Sequence, residues 1–127
     1  MEGKRAYLIC PVRGHDMSET ADLVRGLEEE GWEVHWPPRD TDQVDETGYR
    51  ICRDNRAAIA AADVIFVVWD GKSKGSLFDL GMAFAMEKPV RVVTLPPETE
   101  ERSLQKMVRV WEARSLTTDP ADGTDLD

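Results

Sequence analysis

Two clusters of residues in this 127-residue chain have the types and spacing for chemistry on an anionic substrate. The first is Arg13-Gly14, just after the apolar run Arg5 to Cys10. A guanidinium fork beside backbone N–H groups freed by a glycine suits a cluster of anionic oxygens such as a phosphate. The competing reading is a solvated arginine in a tight turn. The second cluster is Ser73-Lys74-Gly75-Ser76-Leu77-Phe78-Asp79-Leu80-Gly81. Hydroxyls, a lysine and a glycine gather at a helix start, where unpaired N–H groups and the helix dipole favour anions. Asp79 projects from the first turn as a carboxylate beside that anion site. A structural reading competes here too. Ser76 and Asp79 have the S-x-x-D spacing of a capping box, in which Asp79 would serve only its own helix. Tyr7 alternates along a strand and is core filler unless its hydroxyl reaches the strand end. His15 and His35 are too scattered for a metal site. Trp36 and Trp69 end strands, where each either packs or stacks on a base.

The elements that must hold these residues follow from periodicity and punctuation. Arg5 to Cys10 reads as a strand, and Asp16 with Glu19 reads as a capping box that opens a helix ending at Gly31. Trp32 to Trp36 is a second strand ended by Pro37-Pro38, and residues 37–47 are polar and irregular, a loop long enough to suggest function. Residues 48–62 are helical, with Ile51, Ala58, Ile59 and Ala62 on one face. Asp63 to Trp69 is a nearly unbroken β-branched and aromatic run, the signature of a strand covered on both faces. A loop over 70–75, a helix from about Leu77 to Glu87, a strand over 89–94 and a helix from Glu100 to about Arg114 complete the pattern.

Four strand–helix alternations predict an open parallel sheet of four to five strands with helices on both faces, a flavodoxin- or Rossmann-like α/β sandwich. Ligands of such sheets bind beyond the carboxyl ends of the strands. The loops to inspect are therefore 10–16, 36–47, 69–76 and 94–100. The sequence reads as one domain over 1–114 and an acidic, disordered tail over 115–127.

A net charge of −9 argues against a nucleic-acid polymer as partner, because phosphate backbones are met by basic surfaces. It leaves room for a small phosphorylated metabolite, which needs only one local group of donors. No apolar run reaches the length of a membrane helix and no signal-like segment opens the chain, so a cytoplasmic protein without a membrane partner is expected. Cys10 and Cys52 lack metal-ligand or paired spacing and read as free thiols.

With these pieces in view, the chain resembles the nucleoside 2-deoxyribosyltransferase superfamily, and within it the 2′-deoxynucleoside 5′-monophosphate N-glycosidases. The stretches that carry the likeness are AYLICPVRG, AADVIFVVWD, GSLFDLGMAFAMEKPV and SLQKMV, over roughly residues 4–108. The resemblance implies that Asp79 stands where the family has its nucleophilic glutamate and that Tyr7 hydrogen-bonds this carboxylate. It implies phosphate contacts from Arg13 and Ser73, and one from Ser103 across a homodimer interface; Gly14, Gly75 and Ser76 join this set from the anion-site pattern of the two clusters. Asn55 falls where the family has the acid that protonates the leaving base. Two departures follow: Asp79 is one methylene shorter than glutamate, and Asn55 has no dissociable proton. The implied activity is cleavage of the base–sugar bond of a nucleoside 5′-monophosphate through a glycosyl-enzyme, with no metal or other cofactor. The alternative is a nucleotide-binding or sensing module on the same fold that has lost the chemistry. The chain is also shorter at its end than the family, so a final strand and helix are expected to be missing.

Overall fold

The computed structural model describes residues 4–12, 17–97 and 103–117. Among them β1 (Arg5–Ile9), α1 (Met17–Glu29), β2 (Glu33–His35), α2 (Pro37–Asp40), α3 (Tyr49–Ala61), β3 (Val64–Val68), α4 (Lys74–Ala85), β4 (Val90–Thr94) and α5 (Leu104–Thr117) follow in order. The strands form one parallel sheet ordered β2-β1-β3-β4. The chain steps outward from β1 to β2, then crosses back over β1 to β3. The order therefore reverses at β1, and a crevice opens beyond the carboxyl ends of β1 and β3. Tyr7 sits at this reversal, opposite His35 on one side and Ile65 on the other.

Successive strand residues point to opposite faces, so each strand feeds two cores. Tyr7, Ile9, Ile65 and Val67 pack against Ile59 of α3, Leu80 and Ala83 of α4, and Val108 and Trp111 of α5. Ala6, Leu8, Phe66 and Val68 pack with Val34 against Val24 and Leu27 of α1 and against Trp32. Burial on both faces is why β1 and β3 read as continuous apolar runs. The expected three-layer α/β sandwich is what forms, with four strands among the described residues. No helix of these residues is long and apolar enough to cross a membrane.

Several boundaries differ from the sequence expectation. Pro37-Pro38 does more than end β2: the pair opens α2, because a first-turn proline gives up no intrahelical hydrogen bond. The Trp36 N–H donates to Asp40 Oδ2 at 2.8 Å, closing that single turn. Helix α4 begins at Lys74, ahead of Leu77, because Ser73 is its N-cap and accepts the Ser76 N–H at 3.2 Å. Helix α5 continues to Thr117, past its expected end at about Arg114. Ser115 explains the extension, since its Oγ accepts the Val90 N–H at 3.0 Å and donates to the Trp111 carbonyl at 2.9 Å. The Asp16 cap, the expected start of the last helix at Glu100 and residues 118–127 lie outside the described residues.

The loop after β3 is held by its own backbone. Asp70 Oδ1 accepts the N–H groups of Lys72 and Ser73 at 2.8 and 2.9 Å, and Gly71 between them adopts φ +83°. A Cβ on Gly71 would stand 2.9 Å from Cγ of Pro96, a rigid ring atom. Gly71→Ala is therefore expected to destabilise the protein by about 1–3 kcal/mol, from the left-handed backbone and the clash together. Chemical denaturation monitored by tryptophan fluorescence checks this, and an unchanged midpoint would refute it.

Candidate active site

The crevice at the sheet's reversal contains a cavity of about 500 Å³. Its walls come from the segment after β1 (Cys10, Val12), the start of α2 and the following segment (Pro37, Gln43), α3 (Ile51, Cys52, Asn55), and the loop and first turns of α4 (Asp70, Lys72 to Ser76, Asp79). Three of the four loops marked in the sequence thus converge on one space. Arg13 and Gly14 belong to the first of them, but both lie outside the described residues.

The centre of the site is a hydrogen bond from Tyr7 Oη to Asp79 Oδ2 at 2.8 Å. Tyr7 is wholly buried, and its hydroxyl crosses from β1 to α4. The capping-box reading of Asp79 is corrected by this geometry: Ser73, not Ser76, caps α4, which leaves the Asp79 carboxylate free to face Tyr7. Burial raises the Asp79 pKa to about 6, against the downward pull of the Tyr7 hydrogen bond. Burial and the neighbouring Asp79 charge push the Tyr7 phenol far above its ordinary value, so it remains a donor. Oδ2 is engaged, and Oδ1 has no hydrogen bond among the described residues. One oxygen is oriented and the other is available to attack.

Opposite Asp79, Asn55 lies on the inward face of α3 one turn before Ile59, and both are buried. Its Oδ1 accepts the Thr41 hydroxyl proton at 2.7 Å. Thr41 Oγ1 is 2.8 Å from His35 Nε2, and the imidazole stacks on the Tyr7 ring with centroids 5.4 Å apart and planes 5° from parallel. Because the Thr41 proton is committed to Asn55, its oxygen must accept from His35, which places a proton on Nε2. Burial lowers the His35 pKa and keeps the ring neutral. Thr41 and His35 were not legible as site residues in the sequence. Their one signal was that Thr41 fell in the polar segment marked as functional.

At the other end of the cavity, Ser73, Lys74, Gly75 and Ser76 form the start of α4, as the sequence pattern anticipated. Ser76 Oγ is fully buried and has no hydrogen-bond partner among the described residues, an unusual state for a buried hydroxyl. Asp70 is the other carboxylate on the cavity wall. Backbone N–H groups, Lys72 first, hold its pKa below the usual carboxylate range, so it is ionised and has no proton to give. Asp54 pairs with Arg50 at 2.7 Å and does not line the cavity. Cys10 and Cys52 are free thiols on the wall, and burial raises both pKa values, that of Cys10 to about 11. Trp69 packs in the core and donates its indole N–H to the Ser73 carbonyl at 3.1 Å, which favours packing over base stacking. Ser103 caps α5, accepting the Lys106 N–H at 3.3 Å, and is not among the residues lining this cavity. No cluster of three or more metal-ligating side chains occurs among the described residues.

The sequence profile of nucleoside 2-deoxyribosyltransferase matches residues 6–108. The chain belongs to this family. Solved structures of similar shape include the CMP N-glycosidase BcmB of Clostridium botulinum, with a TM-score of 0.58 and 22% identity over 87% of this chain and 81% of that one. The 2-deoxyribosyltransferase of the psychrotolerant bacterium Bacillus psychrosaccharolyticus has a TM-score of 0.65 and 19% identity over 93% and 94% of the two chains. The Leishmania mexicana enzyme described as a 2-desoxiribosyltransferase has a TM-score of 0.56 and 26% identity over 73% of this chain and 65% of its own. No curated protein sequence matches at a significant level. The matched span of this family member contains Tyr7, Asn55, Ser73 and Asp79 together.

The raised Asp79 pKa has a consequence for stability. A carboxyl whose folded pKa exceeds its unfolded value favours folding while protonated. That contribution is complete below the unfolded pKa near 3.8 and is lost as pH rises through about 6. Asp79→Asn keeps the acceptor for Tyr7 and removes the charge. Its melting temperature is expected to match the parent's at pH 4 and to exceed it by several degrees at pH 8, read by calorimetry across that range. An advantage that fails to grow with pH would contradict the assignment.

Proposed function

We propose that this protein is an N-glycosidase, or a base-exchanging transferase, acting on nucleoside 5′-monophosphates, with Asp79 as nucleophile. The Tyr7–Asp79 hydrogen bond beside an open cavity carries the reading. Asp79 Oδ1 attacks C1′ of the sugar as the C1′–N bond breaks and its electron pair leaves with the base. A glycosyl ester on Asp79 results. Water then hydrolyses it and restores the carboxylate, or a second base captures the sugar. Tyr7 fixes the attack direction, and near neutral pH most of Asp79 is ionised. The Asp79 carboxylate, though shorter than a glutamate, meets Tyr7 at 2.8 Å, which supports this reading.

The start of α4 supports a phosphate subsite. Ser73, Gly75 and the orphan hydroxyl of Ser76 line the cavity, with helix N–H groups behind them. Arg13 and Gly14 complete the subsite in this reading. A homodimer is part of the proposal, with Ser103 contacting the phosphate held by the other copy. Exposed Tyr49 and Phe78 along the α3–α4 groove suit such an interface. The missing acid at Asn55 favours a second reading, a module that binds nucleotides without cleaving them.

Incubation with a panel of nucleoside and deoxynucleoside 5′-monophosphates, with free base followed by chromatography, separates these readings. Base release is expected, reduced on the order of 10³-fold or more in Asp79→Ala. Its rate should rise through pH of about 6 as Asp79 ionises, and Tyr7→Phe should move that midpoint upward while lowering kcat. Ser76→Ala, which removes only the unpaired hydroxyl, should raise KM for nucleotides and leave cleavage of free nucleosides unaffected. Thermal stabilisation by nucleotides without base release would establish the binding module. Neither response would end the nucleotide reading.

A further inference from the structure

The half of the cavity away from the start of α4 carries a second set of instructions. Asn55 Oδ1 is taken by the Thr41 hydroxyl at 2.7 Å, so the side that remains is the Nδ2 amino group, a pure donor. Nδ2 has no partner among the described residues, and Asn55 lines the cavity. Gln43 lines the same space and is pinned the opposite way round. Its Nε2 donates to the Pro37 carbonyl at 2.9 Å and the Thr41 carbonyl at 3.1 Å, which leaves Oε1, a pure acceptor, unpaired. Thr41 therefore fixes both amides, one through its hydroxyl and one through its carbonyl. His35 in turn fixes Thr41 by supplying a proton to Oγ1.

We propose that Asn55 and Gln43 read the base of the substrate as a donor–acceptor pair, and that the preferred bases carry a lactam, O=C–N–H. This rests on the glycosidase reading above. The Asn55 N–H meets the base carbonyl, and the Gln43 carbonyl meets the ring N–H. The preference for a lactam follows from the fate of the electron pair when the C1′–N bond breaks. An amino base leaves best after protonation on a ring nitrogen, which requires an acid. Asn55 cannot supply one, Asp70 is ionised, Asp79 is consumed as nucleophile, and both thiols are shifted away from acidity. Lys72 and Lys74 belong to the loop and first turn of α4, at the phosphate end of the cavity. A lactam base spreads the pair onto the carbonyl that neighbours its ring N–H, where a fixed donor binds more tightly as negative charge grows; adenine has no carbonyl, and that of cytosine has no ring N–H beside it for Gln43 to accept. Solvent then protonates the released base. Asn55 thus selects the leaving group without transferring a proton.

The test compares ring-matched pairs, uridine with cytidine 5′-monophosphate and inosine with adenosine 5′-monophosphate, each in ribo and deoxy form. Cleavage is measured with the parent protein, and affinity by calorimetry with the uncleaving Asp79→Ala variant. The lactam member of each pair is expected to win by about tenfold or more in kcat/KM, and to bind more tightly to Asp79→Ala. Thr41→Val should collapse the ratio toward one, and Thr41→Ser, which keeps the hydroxyl, should restore it. Asn55→Asp turns the exposed donor into an acceptor and should swing the ratio toward the amino bases. Equal or reversed cleavage within both pairs by the parent would overturn the proposal and leave the glycosidase reading standing. So would a ratio indifferent to Thr41→Val. Absence of cleavage together with equal binding of all four bases would overturn both.

Discussion

A carboxylate can serve as a nucleophile only if it is held in place without being neutralised, and a buried tyrosine hydroxyl is well suited to hold it. Tyr7 donates one hydrogen bond and carries no charge, so it orients Asp79 while leaving its second oxygen free. An arginine or lysine in the same place would have pulled the pKa far down and cut nucleophilicity. Burial works the other way and lifts Asp79 to about 6, high enough to keep it reactive and low enough for ionisation near neutral pH. Much of the remaining structure can be understood as support for this contact. Strand β1 must lie beside β3, α4 must cross the face to which Tyr7 points, and Ser73 must cap α4 so that Asp79 is not drawn back to its own backbone.

The same tyrosine links the two ends of the cavity. Its ring lies flat on His35 because the two residues are register partners across β1 and β2. His35 sets the proton order of Thr41, and Thr41 sets the polarity of Asn55 and Gln43. Neutral groups do all of this, which suits a semi-buried pocket: a charged residue at the base end would carry a desolvation cost in every step of the reaction. Charge is concentrated instead at the start of α4, where helix N–H groups and lysines suit an anionic ligand. This division of charge is what the proposed substrate, with a phosphate at one end and an uncharged heterocycle at the other, requires.

Asp79 stands within hydrogen-bond distance of Tyr7 on a helix whose Leu80 and Ala83 pack against the sheet. Asn55 has no dissociable proton, so in the proposed reaction the stabilisation of the departing base falls to hydrogen bonding alone.

Much of this protein is written locally. The β-branched run of Val64 to Val68 could only be a strand covered on both faces, and the alternation of such runs with helical periods dictates a parallel sheet whose ligands lie at its carboxyl edge. Ser73, Gly75, Ser76 and Asp79 were visible as a cluster because they fall within one loop and one helical turn, where sequence distance and spatial distance agree. The extent of α5 and the turn at Pro37-Pro38 were misjudged, because Ser115 finds its partner on β4 and prolines can open a helix as well as end a strand. The choice between a capping and a catalytic Asp79 was open in the sequence, since S-x-x-D spacing satisfies both. The capping reading falls because Ser73 takes the cap and the Asp79 carboxylate meets a tyrosine 72 positions away. The arrangement of Thr41, His35 and Gln43 likewise depends on contacts that join β2, the segment after α2, and α3. Amide polarity is a property of hydrogen-bond partners and not of residue type, and those partners exist only once the chain has packed.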